Sequence, residues 1–129
     1  MRAFSTTSRI VLAKRDNSSD FTFVLGVCLI PGVGPNGEIF DADAIELAAH
    51  SFVEDSRQVG VDGQRTVRRR DCVLVESYVV RSPYVVNGTS VPQGAWVVGL
   101  KIYSPAIREA IRSGRFKGFG VKGIARPRV

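Results

Sequence analysis

The sequence predicts a mainly β domain of the α+β class, a closed or nearly closed barrel with two peripheral helices. Three observations carry that expectation. Strand signals outnumber helix signals and fall in the order β-β-α-β-β-β-α-β. Residues 21–30 (FTFVLGVCLI) are apolar on both faces, as a central or barrel strand must be. Asn87-Gly88, between Val85-Val86 and Thr89, is the pattern of a tight type I′ hairpin. With 129 residues the chain makes one domain: an N-terminal strand or arm over 1–19, the barrel over 20–125, and a basic tail at 126–129.

Each element has its own signal. In 21–30, Phe21, Phe23, Leu25, Val27 and Leu29 share one face, and Val24, Cys28 and Ile30 the other. PGVGPNGE at 31–38 is turn chemistry throughout. Residues 41–57 read as a helix, capped by Asp41 or Asp43, with an apolar stripe of Ile45, Ala48, Ala49, Phe52 and Val53. Residues 60–64 read as a loop, followed by the basic stretch Arg65, Arg68, Arg69 and Arg70. A strand over 72–80 leads to the hairpin, and Pro92-Gln93-Gly94 turns the chain into 95–103, where Trp96, Val98, Leu100 and Ile102 alternate. Ser104-Pro105 is a cap followed by proline at the first helical position, and Gly114 closes that short helix. Residues 116–125 form the last strand.

Hydrophobic residues at 44% and charged residues at 23% argue against disorder, and no apolar run reaches the ~18 residues of a membrane span. Met1 to Arg15 lacks acids, but its longest apolar run, 10–13, is too short for a secretory signal, so it reads as part of the fold. Without export, the sequons at Asn17 and Asn87 are chance, and Cys28 and Cys72 are expected as reduced, half-buried thiols. The net charge of +6 is unevenly placed. Residues 1–107 are neutral, whereas Arg108, Arg112, Arg115, Lys117, Lys122, Arg126 and Arg128 face only Glu109 in the last segment. Such asymmetry suggests an anionic partner, either nucleic acid or an acidic protein surface.

Few residues offer chemistry. Two cysteines and one histidine cannot complete a structural zinc site, no HExxH or CxxC motif exists, and no cofactor or metal is expected. The turn at 31–38 lacks the GK[ST] ending of a phosphate loop. Lys117-Gly118-Phe119-Gly120 resembles the start of an RNA-recognition motif, but Val121 replaces the stacking aromatic. Ser77 reads as a polar strand position, Ser104 as a cap, and His50 as a surface residue beside the helix stripe.

The order of these blocks resembles the XkdF-type phage serine proteases, relatives of the prohead proteases that mature tailed-phage capsids. The resemblance covers roughly 20–125. It rests on residues 24–38, on DADAIELAAHSFVED, on VLVESYVV, on VVNGTSVPQGAWVVGLKI and on SPAIREAIRSGRFKGFGVKG. It implies an assemblin-like, prohead-protease-like β-barrel flanked by helices. It also implies where catalytic side chains should stand. The family histidine falls in Gly60-Val61-Asp62-Gly63, at Gly63, and the family serine in Gly118-Phe119-Gly120-Val121-Lys122-Gly123, at Gly120. Glycine supplies neither nucleophile nor base. The sequence ends soon afterwards, so a downstream acidic member of the site is expected to be missing as well.

The resulting expectation is a non-catalytic structural protein of a phage particle, associated with the capsid as a cement, decoration or assembly component. Its partners would be the major capsid protein, other virion proteins or further copies of itself, with no membrane involved. Two alternatives stand beside it: an active prohead protease whose site is displaced onto His50 and another serine, and a nucleic-acid-binding module using the basic C-terminal segment.

Overall fold

The computed structural model describes residues 2–15, 20–33, 39–61 and 65–125. Asn17, the middle of the glycine-rich turn, Gly63, Arg126 and Arg128 lie outside the described residues. Among the described residues the chain forms eleven strands and two α-helices. The strands are β1 (Arg2–Arg15), β2 (Thr22–Leu29), β3 (Gly32–Val33), β4 (Ile39–Phe40), β5 (Val59–Val61), β6 (Arg65–Thr66), β7 (Cys72–Val79), β8 (Tyr84–Val86), β9 (Thr89–Val91), β10 (Trp96–Ile102) and β11 (Gly118–Ala125). The helices are α1 (Ala42–Ser51) and α2 (Pro105–Arg112). Seven strands make one antiparallel, nearly closed barrel-shaped sheet in the order β6-β5-β11-β1-β2-β10-β7.

Strand β1 is the corner of this barrel. From Arg2 to Arg9 it pairs with β11, and from Ile10 to Arg15 with β2, with a register shift between Ile10 and Leu12. A strand that changes partner through a bulge folds one sheet into two facing halves. Helix α1 fills the space between them, touching β11 in one half and β7 and β10 in the other.

The predicted cap and stripe of α1 are present. The Asp41 carboxylate accepts a hydrogen bond from the Ala44 N–H at 2.7 Å, and Ile45, Ala48, Ala49 and Phe52 are buried. The end of the predicted helix differs. Residues Phe52–Ser56 form a wider π turn, closed by Arg57 at φ 57°. Arg57 Nε donates to the Val53 carbonyl at 2.8 Å, covering one acceptor left free at the helix end. Trp96 anchors the core between Phe4 and Phe52, with ring centroids 5.7 and 5.4 Å away, and its Nε1–H donates to Ser77 Oγ at 2.9 Å.

Strand β10 buries more than the alternating face read from the sequence. Trp96, Val98, Leu100 and Ile102 face the main core, while Val97 joins a second cluster with Leu25, Val80, Val91 and Ala95. The β8–β9 hairpin folds over that outer face, so both sides of β10 are dry. Its turn is the predicted one: Asn87 and Gly88 adopt φ 47° and 80°, and Asn87 Nδ2 donates to the Val11 carbonyl at 3.2 Å.

Two shorter features depart from expectation. Gly32–Val33 of the glycine-rich turn pairs as β3 with β4 just beyond it, and Gly60 and Val61 of the expected 60–64 loop belong to β5, paired with β6 at the start of the basic stretch. The thiols also differ: Cys28 and Cys72 are both free and buried rather than half-buried. They lie near opposite ends of β10, about 20 Å apart at ~3.3 Å per residue, too far for a disulfide. Helix α2 starts at Ser104, whose Oγ accepts from Ile107 N–H at 3.3 Å. It has no fully buried residue and rests Ile107, Ala110 and Ile111 on the core edge.

Candidate functional site

Strands β5 and β11 are neighbours, and Gly60 lies directly opposite Gly120. Gly60, from the first stretch singled out in the sequence, and Gly120, from the second, are thus brought side by side from distant parts of the chain. Gly63 itself lies outside the described residues, between Val61 and Arg65, which pair across β5 and β6. On its other edge Gly120 pairs with Thr7 of β1. Alternation along β11 sends Phe119 and Val121 into the core, where both are buried, so Gly120 sits on the opposite face. A side chain at position 120 would therefore leave the sheet on the side away from the core.

Behind this glycine pair lies a polar cluster that the sequence did not single out. Thr6 and Ser8 of β1 point into the core, with Thr6 Oγ1 within 3.4 Å of Ser8 Oγ and of both the Val121 carbonyl and N–H. Cys28 joins them, and burial pushes its thiol up to about 12, against the partly offsetting hydrogen bonds of Ser8 and Thr6. Cys72 is likewise held at about 12 by burial and the nearby Asp71 charge. Neither thiol is a thiolate at neutral pH, so neither is an activated nucleophile. An alternating β1 pattern of Phe4, Thr6 and Ser8 was the available signal, masked because two of the three residues are polar.

The other nucleophile candidates are accounted for by structure. Ser77 accepts from Trp96, and Ser104 caps α2. His50 is 60% exposed, 3.9 Å from Glu46, which also holds Arg81 at 3.0 Å. Among the described residues no three His, Cys, Asp or Glu side chains gather to hold a metal ion, and no helix is long and apolar enough to cross a membrane.

The basic candidates divide between the two halves of the sheet. Arg108 and Arg112 lie on α2, where Arg108 Nε donates to Thr22 Oγ1 at 3.3 Å and Arg112 is paired with Glu109. Arg115 Nε donates to Ser113 Oγ at 3.2 Å, and Lys117 is exposed in the approach to β11. Lys122 is exposed on β11, and its carbonyl accepts from Ser56 Oγ at 2.8 Å. Arg126 and Arg128 lie outside the described residues.

The chain is thus a mainly β barrel-shaped sheet wrapped around one helix, with Gly60 of β5 paired to Gly120 of β11. The family described as "Putative phage serine protease XkdF" matches residues 8–128, and the chain belongs to it. It is 32% identical over 123 residues to the Bacillus subtilis (strain 168) "Uncharacterized protein YqbD", covering 95% of this chain and 36% of that protein. It is 25% identical over 122 residues to the "Phage-like element PBSX protein XkdF" of the same strain, covering 94% of this chain and 43% of that protein. The chain thus spans less than half the length of these curated relatives. No solved structure matches it significantly.

Proposed function

We propose that this chain is a non-catalytic structural component of a tailed-phage particle, attached to the capsid as a cement, decoration or assembly protein. The observation that carries the reading is the pairing of Gly60 with Gly120 across β5 and β11. The family resemblance puts the serine at position 120 and the histidine at position 63, three residues after Gly60, and both positions are glycine in this sequence. A triad lacking both nucleophile and base loses several orders of magnitude in rate. The fold that recognises capsid and scaffold chains can be kept while cleavage is lost, and membership of a phage family supports that setting.

In this reading the protein works in the virion, and in the host cytoplasm while particles assemble. Its partners are the major capsid protein or other virion proteins, engaged through the basic C-terminal segment. Quantitative mass spectrometry of purified mature particles tests it. Retention at a fixed stoichiometric copy number supports the role, and loss during maturation contradicts it. Replacing Arg126 and Arg128 by Glu should weaken attachment, as should added salt, without lowering the melting temperature. Unchanged attachment across a salt titration would remove the basic segment from the account.

A further inference from the structure

We propose that the end of the barrel where β1 finishes and β2 begins binds single-stranded nucleic acid. The inference goes beyond the particle role above and stands without it. The register places Arg15 opposite Thr22, Thr22 opposite Ile102, and Ile102 opposite Cys72. The residues just beyond, Phe21, Tyr103 and the turn at 68–71, therefore share one rim. Tyr103 N–H and Ser104 N–H both donate to the Asp71 carbonyl, at 2.8 and 3.2 Å, and fix the turn against the end of β10.

This rim interleaves aromatic and cationic side chains. The Phe21 and Tyr103 rings lie 5.8 Å apart, and Lys101 Nζ sits 4.5 Å from the Phe21 centroid. Phe23 stands between Lys14 of β1 and Lys101 of β10, opposite both, so a Lys-Phe-Lys row crosses three strands. Arg68, Arg69 and Arg70 are all exposed in the adjoining turn, and Tyr103 is 38% exposed. At the same end, but on the other face of β1 and β2, where Ala13 and Thr22 alternate with Lys14 and Phe23, Arg108, Arg112 and Glu109 line a cleft of about 350 Å3. Among the described residues, these seven cations meet the acids Asp20, Asp71 and Glu109 at this end, and Glu109 is engaged with Arg112. The sequence placed the surplus charge in the last segment alone; folding adds the arginine turn and two lysines to it.

The chemistry favours single strands. Guanidinium groups match phosphate oxygens, and aromatic rings beside them offer a stacking surface to unpaired bases. A duplex hides its bases, and an acidic polypeptide would use the cations but has no bases to stack on Phe21 and Tyr103.

Fluorescence anisotropy with the full chain tests the proposal, using a labelled 20-nucleotide single strand, its duplex, and poly-glutamate as competitor. The single strand should bind tighter than the duplex. Changing Arg68, Arg69 and Arg70 together to Glu should cost roughly tenfold or more. It should also reduce the slope of log K against log salt by about 2, from ~0.7 per phosphate contact. Tyr103→Ala should cost about fivefold or more for the single strand with an unchanged salt slope, and Tyr103→Phe should bind like the parent. Melting curves check folding, and Lys14→Glu, on an exposed strand position, should also weaken binding if Tyr103→Ala proves unstable. No binding at low salt, equal binding of duplex and single strand with Tyr103→Ala inert, or displacement by poly-glutamate at equal charge would each overturn the proposal.

Discussion

Strands β10 and β11 belong to one sheet but use their residues in opposite ways. β10 is dry on both sides, with Trp96, Val98, Leu100 and Ile102 in the main core and Val97 under the β8–β9 hairpin. β11 is dry on one side only. Phe119 and Val121 point inward, while Gly118, Gly120 and Lys122 alternate on the other face. The family's expected nucleophile position thus lies on the strand whose outer face carries no core packing. A change of side chain at position 120 leaves the inward residues that hold the barrel untouched.

Substitutions should separate the two strands. The largest loss belongs to β10: Trp96→Ala removes the ring between Phe4 and Phe52 and leaves Ser77 without its donor, and should cost ~3–5 kcal/mol in denaturant unfolding. Within β11 the two outer glycines should differ from each other. A Cβ on Gly118 would lie 2.4 Å from the Ser8 carbonyl oxygen, a backbone atom that cannot swing aside, so Gly118→Ala should cost about 1–3 kcal/mol. Gly120→Ser, on a regularly paired position facing away from the core, should change stability by less than about 1 kcal/mol. A Gly120→Ser variant as damaged as Trp96→Ala would mean that structure has refilled the outer face.

The buried thiols sharpen the same contrast through pH. Both have folded values near 12 against an ordinary value of 9.0. A thiol that binds its proton more tightly when folded contributes stability that is full below pH 9 and is lost as pH rises from about 9 to about 12. Melting temperature should accordingly hold to pH 9 and then fall. The double variant Cys28→Ala, Cys72→Ala should fall less steeply over that window, measured in the same buffers. Equal slopes for parent and variant would remove the thiols as the cause.

Much of the fold was legible because its signals are local. Asp41, Ser104-Pro105 and Asn87-Gly88 each fix a cap or turn through their own side chains or φ angles, and each stands where expected. What was not legible depends on partners far away in sequence. β1 divides its pairing between β11 and β2, β5 gains strand character from β11, and Val97 is buried by a hairpin that returns from residues 84–91. The adjacency of Gly60 and Gly120 followed from no local pattern; only the resemblance pointed to both stretches. The basic rim was missed for the same reason, since residues 14, 68–70, 101 and 108–112 meet only once the sheet is closed.

The central claim, that this family member binds without cutting, is most directly tested by combining the purified chain with capsid and scaffold polypeptides, then treating it with a fluorophosphonate probe. The account predicts intact polypeptides and no labelled serine, for the parent and for His50→Ala alike. Cleavage of either substrate, together with labelling of a single serine that disappears in His50→Ala, would contradict it.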